Sequence, residues 1–124
     1  MSINNSKRIS LRDFILNHLS SVAFDTWPDQ VELAKLLSIS PTTLRQRLMR
    51  EDTGYQALKN EVRFRRATQE MLGDEPIVFQ KLAFEIGFAD ERTFYRAFKK
   101  WSGCTPGVYR TLFKNRTPLD RSFA

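Results

Sequence analysis

An internal repeat constrains this chain more than any other feature. One copy runs through Leu33, Ala34, Leu37, Ser38, Ile39, Ser40, Leu44 and Leu48. The other runs through Leu82, Ala83, Ile86, Gly87, Phe88, Ala89, Phe94 and Phe98. Each copy reads as a short helix with an alanine in its middle, a tight turn, and a second helix anchored by two large apolar residues four apart. That is the outline of a helix-turn-helix, in which a small residue sits where two helices cross and an apolar residue follows the turn. No stretch of alternating β-branched residues argues for a strand.

The rest of the chain is also helical in pattern. Leu11, Phe14, Ile15, His18, Leu19 and Val22 keep the spacing of one helix face, so His18 is expected as a satisfied core or rim histidine. Pro28 suits a first helical position, which predicts a helix to Leu37 that buries Val31, Ala34 and Leu37. Ser40 and Pro41 cap and open the next helix, which runs to about Arg50. A turn at 52–54 precedes a long helix from Tyr55 to Leu72, with Gly73 as its stop. Residues 74–76 then start a helix that buries Val78, Leu82, Ala83 and Ile86. The helix from about Asp90 to Trp101 ends at Gly103, and Thr105 and Pro106 open a last one with Val108, Tyr109 and Leu112. Tyr109 and Trp101 are expected in the core, and Cys104 as a small filler.

Charge follows the repeat. The 124 residues hold 20 Lys+Arg and 14 Asp+Glu, a net charge of +6. Residues 1–39 are neutral, 40–72 carry +3, 73–87 carry −2 and 88–124 carry +5. Each positive block opens with the second helix of one repeat, which points to an anionic partner. The length suits one domain. One Cys and one His cannot form an intramolecular disulfide or the usual four-ligand Zn site. No apolar run approaches the roughly 20 residues of a membrane span. No metal motif, phosphate loop or nucleophile elbow appears, so neither an enzyme nor a cofactor is expected. A reducing, cytoplasmic setting fits this composition.

A helix fits the ~12 Å major groove of duplex DNA. Successive grooves on one side lie ~34 Å apart. A linker helix of about 27 Å is near the length that two reading helices need, so one chain would cover about 20 base pairs without a palindrome. The competing reading is a basic helical protein-interaction module without DNA readout. Such a module would expose a continuous apolar stripe on the two second helices.

Several residues carry a family resemblance. Ala83 to Arg110, with Gly87, Phe88, Phe94, Arg96, Ala97, Phe98, Lys99, Trp101, Gly103, Thr105, Pro106 and Tyr109, resembles the signature of AraC/XylS-type transcription regulators. Upstream, Leu33, Ala34, Ile39, Ser40, Pro41, Leu44, Arg45, Leu48, Tyr55, Val62, Arg63, Arg66 and Ala67 are similar to the family's first helix-turn-helix. The resemblance covers about residues 9–113. It implies an all-α, homeodomain-like fold of seven helices, with two helix-turn-helix subdomains at 9–54 and 74–113 joined by a linker helix at 55–73. A polar lead at 1–8, expected to be flexible, and a polar tail at 114–124 flank them. The implied function is sequence-specific binding of double-stranded DNA in bacterial transcription regulation, near the nucleoid. An activator would also touch RNA polymerase. The domain is expected to bind as a monomer, with any dimerisation supplied by a sensor domain elsewhere in a longer protein.

Carried onto this chain, the recognition helices are Ser40–Arg50 and Ala89–Lys100. Arg pairs with guanine and Gln with adenine in bidentate fashion, which makes Arg45, Gln46, Arg92 and Arg96 base-reading candidates, with a phosphate as the other role for Arg96. Thr42 and Thr93 suit a thymine methyl or a phosphate, and Glu91 a cytosine amino group. Ser40, Thr43, Arg50, Tyr95, Lys99, Lys100 and Arg110 are the phosphate candidates. Arg63, Arg65 and Arg66 on the linker are expected to include partners for Glu61, Glu70 or helix ends. Two departures stand out. Ser38 replaces the family's usual turn glycine, which predicts a modest backbone shift. Ala89 replaces the usual Ser cap, so Asp90 is expected to cap instead.

Overall fold

The computed structural model describes residues 10–114. The lead at 1–8 and the tail from 115 onward lie outside them. Among the described residues there are seven α-helices and no strand. They are α1 (Leu11–Ser21), α2 (Gln30–Leu36), α3 (Pro41–Arg50), α4 (Tyr55–Met71), α5 (Phe79–Glu85), α6 (Glu91–Ser102) and α7 (Pro106–Phe113), with a 3-10 turn at Phe24–Thr26. The chain forms two compact units, one ending at Val62 and one beginning at Arg63, so the division falls inside α4.

Caps set most of the helix starts. Ser10, Asp29, Ser40, Asp90 and Thr105 each accept a hydrogen bond from the backbone N–H three residues on, which satisfies one of the free donors of the first turn. Asp29 and Glu32 complete a reciprocal capping box. That box starts α2 at Gln30 rather than at Pro28, two residues later than the proline suggests. Val31 consequently lies 61% exposed, while Leu33 and Ala34 take the buried positions.

The first unit buries Ile15, Leu16 and Leu19 of α1 against Leu33 and Ala34 of α2, Leu44 and Leu48 of α3, and Tyr55, Leu58 and Val62 of α4. Its polar ties are long-range. Arg12 holds both Glu61 carboxylate oxygens at 3.1 Å, and its backbone N–H donates to Glu51. The Tyr55 hydroxyl donates to the Pro28 carbonyl at 2.6 Å, and the Trp27 indole donates to the Leu19 carbonyl. His18 and Phe14 lie exposed instead of in the core, because Ile15, Leu16 and Leu19 set a stripe on one side of them. At the last turn of α1 a histidine also faces the negative end of the helix dipole.

The second unit is built on rings. Phe64, Phe88, Phe94, Phe98, Trp101, Tyr109 and Phe113 form a connected aromatic cluster, with Phe98 5.2 Å from both Phe64 and Tyr109. Ala67, Met71, Leu82, Ala83, Ile86 and Pro106 are buried with it. Helix α5 begins at Phe79, not after Pro76, and its cap position is Val78, which offers no side-chain bond. Val78 is therefore 63% exposed rather than buried, and Val108 and Leu112 also face out. Arg110 of α7 and Lys114, the residue after α7, close the end of α4. Arg110 Nε donates to the Met71 carbonyl at 2.9 Å and its terminal nitrogen donates to that of Glu75. Lys114 Nζ donates to the Gly73 carbonyl. These cations stop the helix, and Gly73 is not left-handed.

Candidate nucleic-acid interface

The two helix-turn-helix turns are built by the same hydrogen bonds. In the first, Ile39 N–H donates to Ala34 O at 3.0 Å and Ser38 N–H to Lys35 O at 3.0 Å. In the second, Phe88 N–H donates to Ala83 O at 2.9 Å and Gly87 N–H to Phe84 O at 3.1 Å. This is the Schellman helix ending, which requires one left-handed residue. Gly87 supplies it with φ 96° and Ser38 with φ 59°. No backbone shift is needed, because Ser38 itself enters the left-handed region. Asp52 does the same after α3, with φ 58°. Ala34 and Ala83 are fully buried at the crossings, and Arg63 Nε donates to the Ile86 carbonyl at the end of α5.

The copies stand 49 residues apart as far as Ile39 and Phe88, and 50 apart from the caps Ser40 and Asp90 onward. Ala89 is the extra residue. It does not occupy the cap position that the repeat alone suggests. Asp90 does, accepting from Thr93 N–H at 2.7 Å. That bond, followed by the one from the Thr93 side chain, holds the Asp90 carboxyl below the usual aspartate range.

The corrected register pairs the two recognition helices residue for residue. Leu44 and Leu48 on α3, and Phe94 and Phe98 on α6, point into the cores. Directly opposite lie Gln46 and Arg96, flanked by Thr42 and Arg92, Met49 and Lys99, and Arg50 and Lys100, all exposed. Thr93 is exposed, while its counterpart Thr43 is half-buried and accepts from the Ser40 hydroxyl. Arg45 is exposed on one flank of this face and Arg47 on the other. No hydrogen bond or ion pair among the described residues engages the side chains of Arg45, Arg47, Arg50, Lys99 or Lys100.

Three candidates sit elsewhere. Glu91 and Tyr95 are half-buried, not outward. Tyr95 packs edge-on against Phe79 and Phe94. Burial, and then the Glu91 carboxylate beside it, pushes its phenol up to about 12. Arg110 spends two nitrogens on backbone carbonyls. The α3 helix also carries two outward residues that the sequence reading passes over, Arg47 and Met49. The four-residue spacing from Leu44 and Leu48 excludes both from the core, which was the available signal. No group of metal-binding side chains occurs among the described residues, and no helix there is long and apolar enough to cross a membrane.

Residues 33–112, which include both helix-turn-helix turns and both recognition helices, match a family described as a helix-turn-helix domain. The chain belongs to the AraC-type helix-turn-helix family of transcription regulators. The ornithine utilization regulator of Pseudomonas aeruginosa is 36% identical over 84 residues, which cover 68% of this chain. The AraC-type chain described here spans only 24% of that regulator's length. A DNA-binding transcriptional dual regulator from Escherichia coli K-12 has the same fold, with a TM-score of 0.77 at 24% identity, covering 89% of this chain and 97% of that one. The DNA-binding domain of the transcription factor AdpA, solved with a target DNA, superposes with a TM-score of 0.61 at 23% identity, covering 85% and 90% of the two chains.

Proposed function

We propose that this AraC-type chain regulates bacterial transcription by reading double-stranded DNA with α3 and α6, each in a major groove, over a site of about 20 base pairs. One observation carries the reading: two helix-turn-helix units of the same hydrogen-bonded design each hold out a recognition helix whose outer face is polar, apart from Met49 on α3. On α6 that face is Arg92, Thr93, Arg96, Lys99 and Lys100, with no apolar residue. The interaction-module alternative needs an apolar stripe there. Gln46 and Arg96, at the centres of the faces, together with Thr42, Arg45, Arg92 and Thr93, read bases; Ser40, Thr43, Arg50, Lys99 and Lys100 hold phosphates. Glu91, Tyr95 and Arg110 leave the contact set, since Glu91 is half-buried, Tyr95 packs on Phe79 and Phe94 and Arg110 donates to backbone carbonyls. Binding as a monomer, a position on the nucleoid and contact with RNA polymerase belong to the same proposal.

Fluorescence anisotropy at two salt concentrations tests it. Each neutralised phosphate contributes about −0.9 to the slope of log affinity against log salt. Arg96→Ala is expected to cost ~1–3 kcal/mol and to relax preference at one base pair. Lys99→Ala is expected to weaken all sequences alike and lower the slope by about one. Absence of binding to any duplex at low salt overturns the proposal.

A further inference from the structure

The outer face of α3 differs from that of α6 at one pair of equivalent positions in a way that charge does not explain. Where α6 has Lys99, α3 has Met49, and the Met49 side chain is 66% exposed. It stands in a row with Thr42 and Gln46 at the i, i+4, i+7 spacing of a single helix face. The row spans about 10 Å of helix, roughly three base-pair steps. Thr42 presents a methyl group, Gln46 an amide, and Met49 a flexible thioether that adapts its shape to apolar partners. None of these groups is a cation.

In the major groove, a thymine differs from a cytosine by its 5-methyl group, and an adenine offers the N6 donor and N7 acceptor that a glutamine amide matches. We infer that α3 reads an A·T-containing segment, with Gln46 on an adenine and Met49 packed on the 5-methyl group of a neighbouring thymine. Arg92 and Arg96 on α6 read guanine in the other half of the site. The full site is then asymmetric, with an A·T step read beside the Arg45 contact in one half and guanines read by Arg92 and Arg96 in the other. Met49 acts here as a specificity residue through apolar contact alone. This inference rests on the DNA-reading proposal above.

The test begins with selection of bound duplexes from a random pool by the full chain. The selected site is then resynthesised with deoxyuridine in place of one thymidine at a time, which removes a single methyl group. The unsubstituted chain is expected to bind about fourfold more weakly when uracil replaces the thymine that Met49 covers, the effect of one lost buried methyl, and Thr42→Ala leaves that difference in place. Met49→Ala is expected to weaken binding to the thymine site and to abolish the thymine-uracil difference, whereas Met49→Leu keeps it. Because Met49 lies outside the core, neither variant should disturb folding. Equal affinity for thymine and uracil at every position, or a Met49→Ala variant that keeps every such difference, overturns the inference while leaving DNA reading intact. Failure of the selection to yield any site overturns both.

Discussion

Single residues in this chain are tuned by where they sit in the backbone. Ser38 does the work of Gly87 with a side chain attached, and an L-residue in the left-handed region costs about 1–2 kcal/mol. Ser38→Gly relieves that strain but raises the entropy of the unfolded chain by about 0.5–1 kcal/mol. The net expectation is a gain of roughly 0.5 kcal/mol in chemical denaturation, with DNA affinity unchanged. Loss of stability would mean that the serine side chain contributes a bond beyond its turn. Tyr95 gives a pH signature. Its phenol titrates near 12 in the fold against about 10 in the unfolded chain. The folded pKa is raised, so its contribution is full below pH 10 and is lost as pH rises through about 12. Burial pushes the Tyr109 phenol up as well, so tyrosinate absorbance should show a late titration whose amplitude Tyr95→Phe reduces, and an unaltered titration would place the Tyr95 phenol in solvent.

Helices in this chain end where something accepts the job of ending them. Three ends close on a left-handed residue in the Schellman pattern, at Ser38, Asp52 and Gly87, and α6 closes on Gly103 at φ 87°. The end of α4 is different: its last carbonyl, that of Met71, is met by Arg110 of α7, and the Gly73 carbonyl just beyond it by Lys114, the residue after α7. Cations at a helix C-terminus are favourable, by up to ~2 kcal/mol when partly buried. Arg110→Met is therefore expected to destabilise the second unit by about 1–2 kcal/mol and to leave the salt slope of DNA binding where it was. A slope lowered by about one would return Arg110 to the phosphate contacts. At the helix crossings the tolerance is smaller still. Ala34 and Ala83 have no exposed surface, and Ala83→Val is expected to cost ~1–3 kcal/mol by overpacking, as read from thermal melts.

At the scale of the molecule, each unit has its own core and its own second helix of a helix-turn-helix, α3 in one and α6 in the other, which are the helices proposed to read DNA. Gln46 and Arg96 lie in different units and share no partner. Distant sites without shared partners add within about 0.5 kcal/mol. The binding losses of Gln46→Ala and Arg96→Ala on the selected site should therefore add in the double variant. A large deviation would show that the two readings are coupled through the DNA or through α4. The recognition helices also differ in charge. The outer face of α6 carries four cations in Arg92, Arg96, Lys99 and Lys100, whereas the centre of the α3 face is Thr42, Gln46 and Met49 with Arg50 beside them. Substitutions on α6 should move the salt slope more than those on α3.

The amino-acid sequence by itself determined the helices, the two helix-turn-helix repeats and the inward anchors of both recognition helices, Leu44 and Leu48 on α3 and Phe94 and Phe98 on α6. The physical reason is locality: apolar spacing, caps such as Ser40 and Thr105, and the stop at Gly103 act within a few residues. Where local signals compete, as between Pro28 and the Asp29 and Glu32 capping box, the helix start is misplaced, whereas Asp90 caps α6 as the sequence implies. Only the tertiary structure decided which charged and polar side chains remain available. Arg110 reaches a carbonyl 39 residues away, Arg12 a carboxylate 49 residues away, and Tyr95 turns to the ring of Phe79. A cation has the same appearance in a sequence whether it closes a helix or faces a phosphate, because its role depends on neighbours that only folding brings within reach.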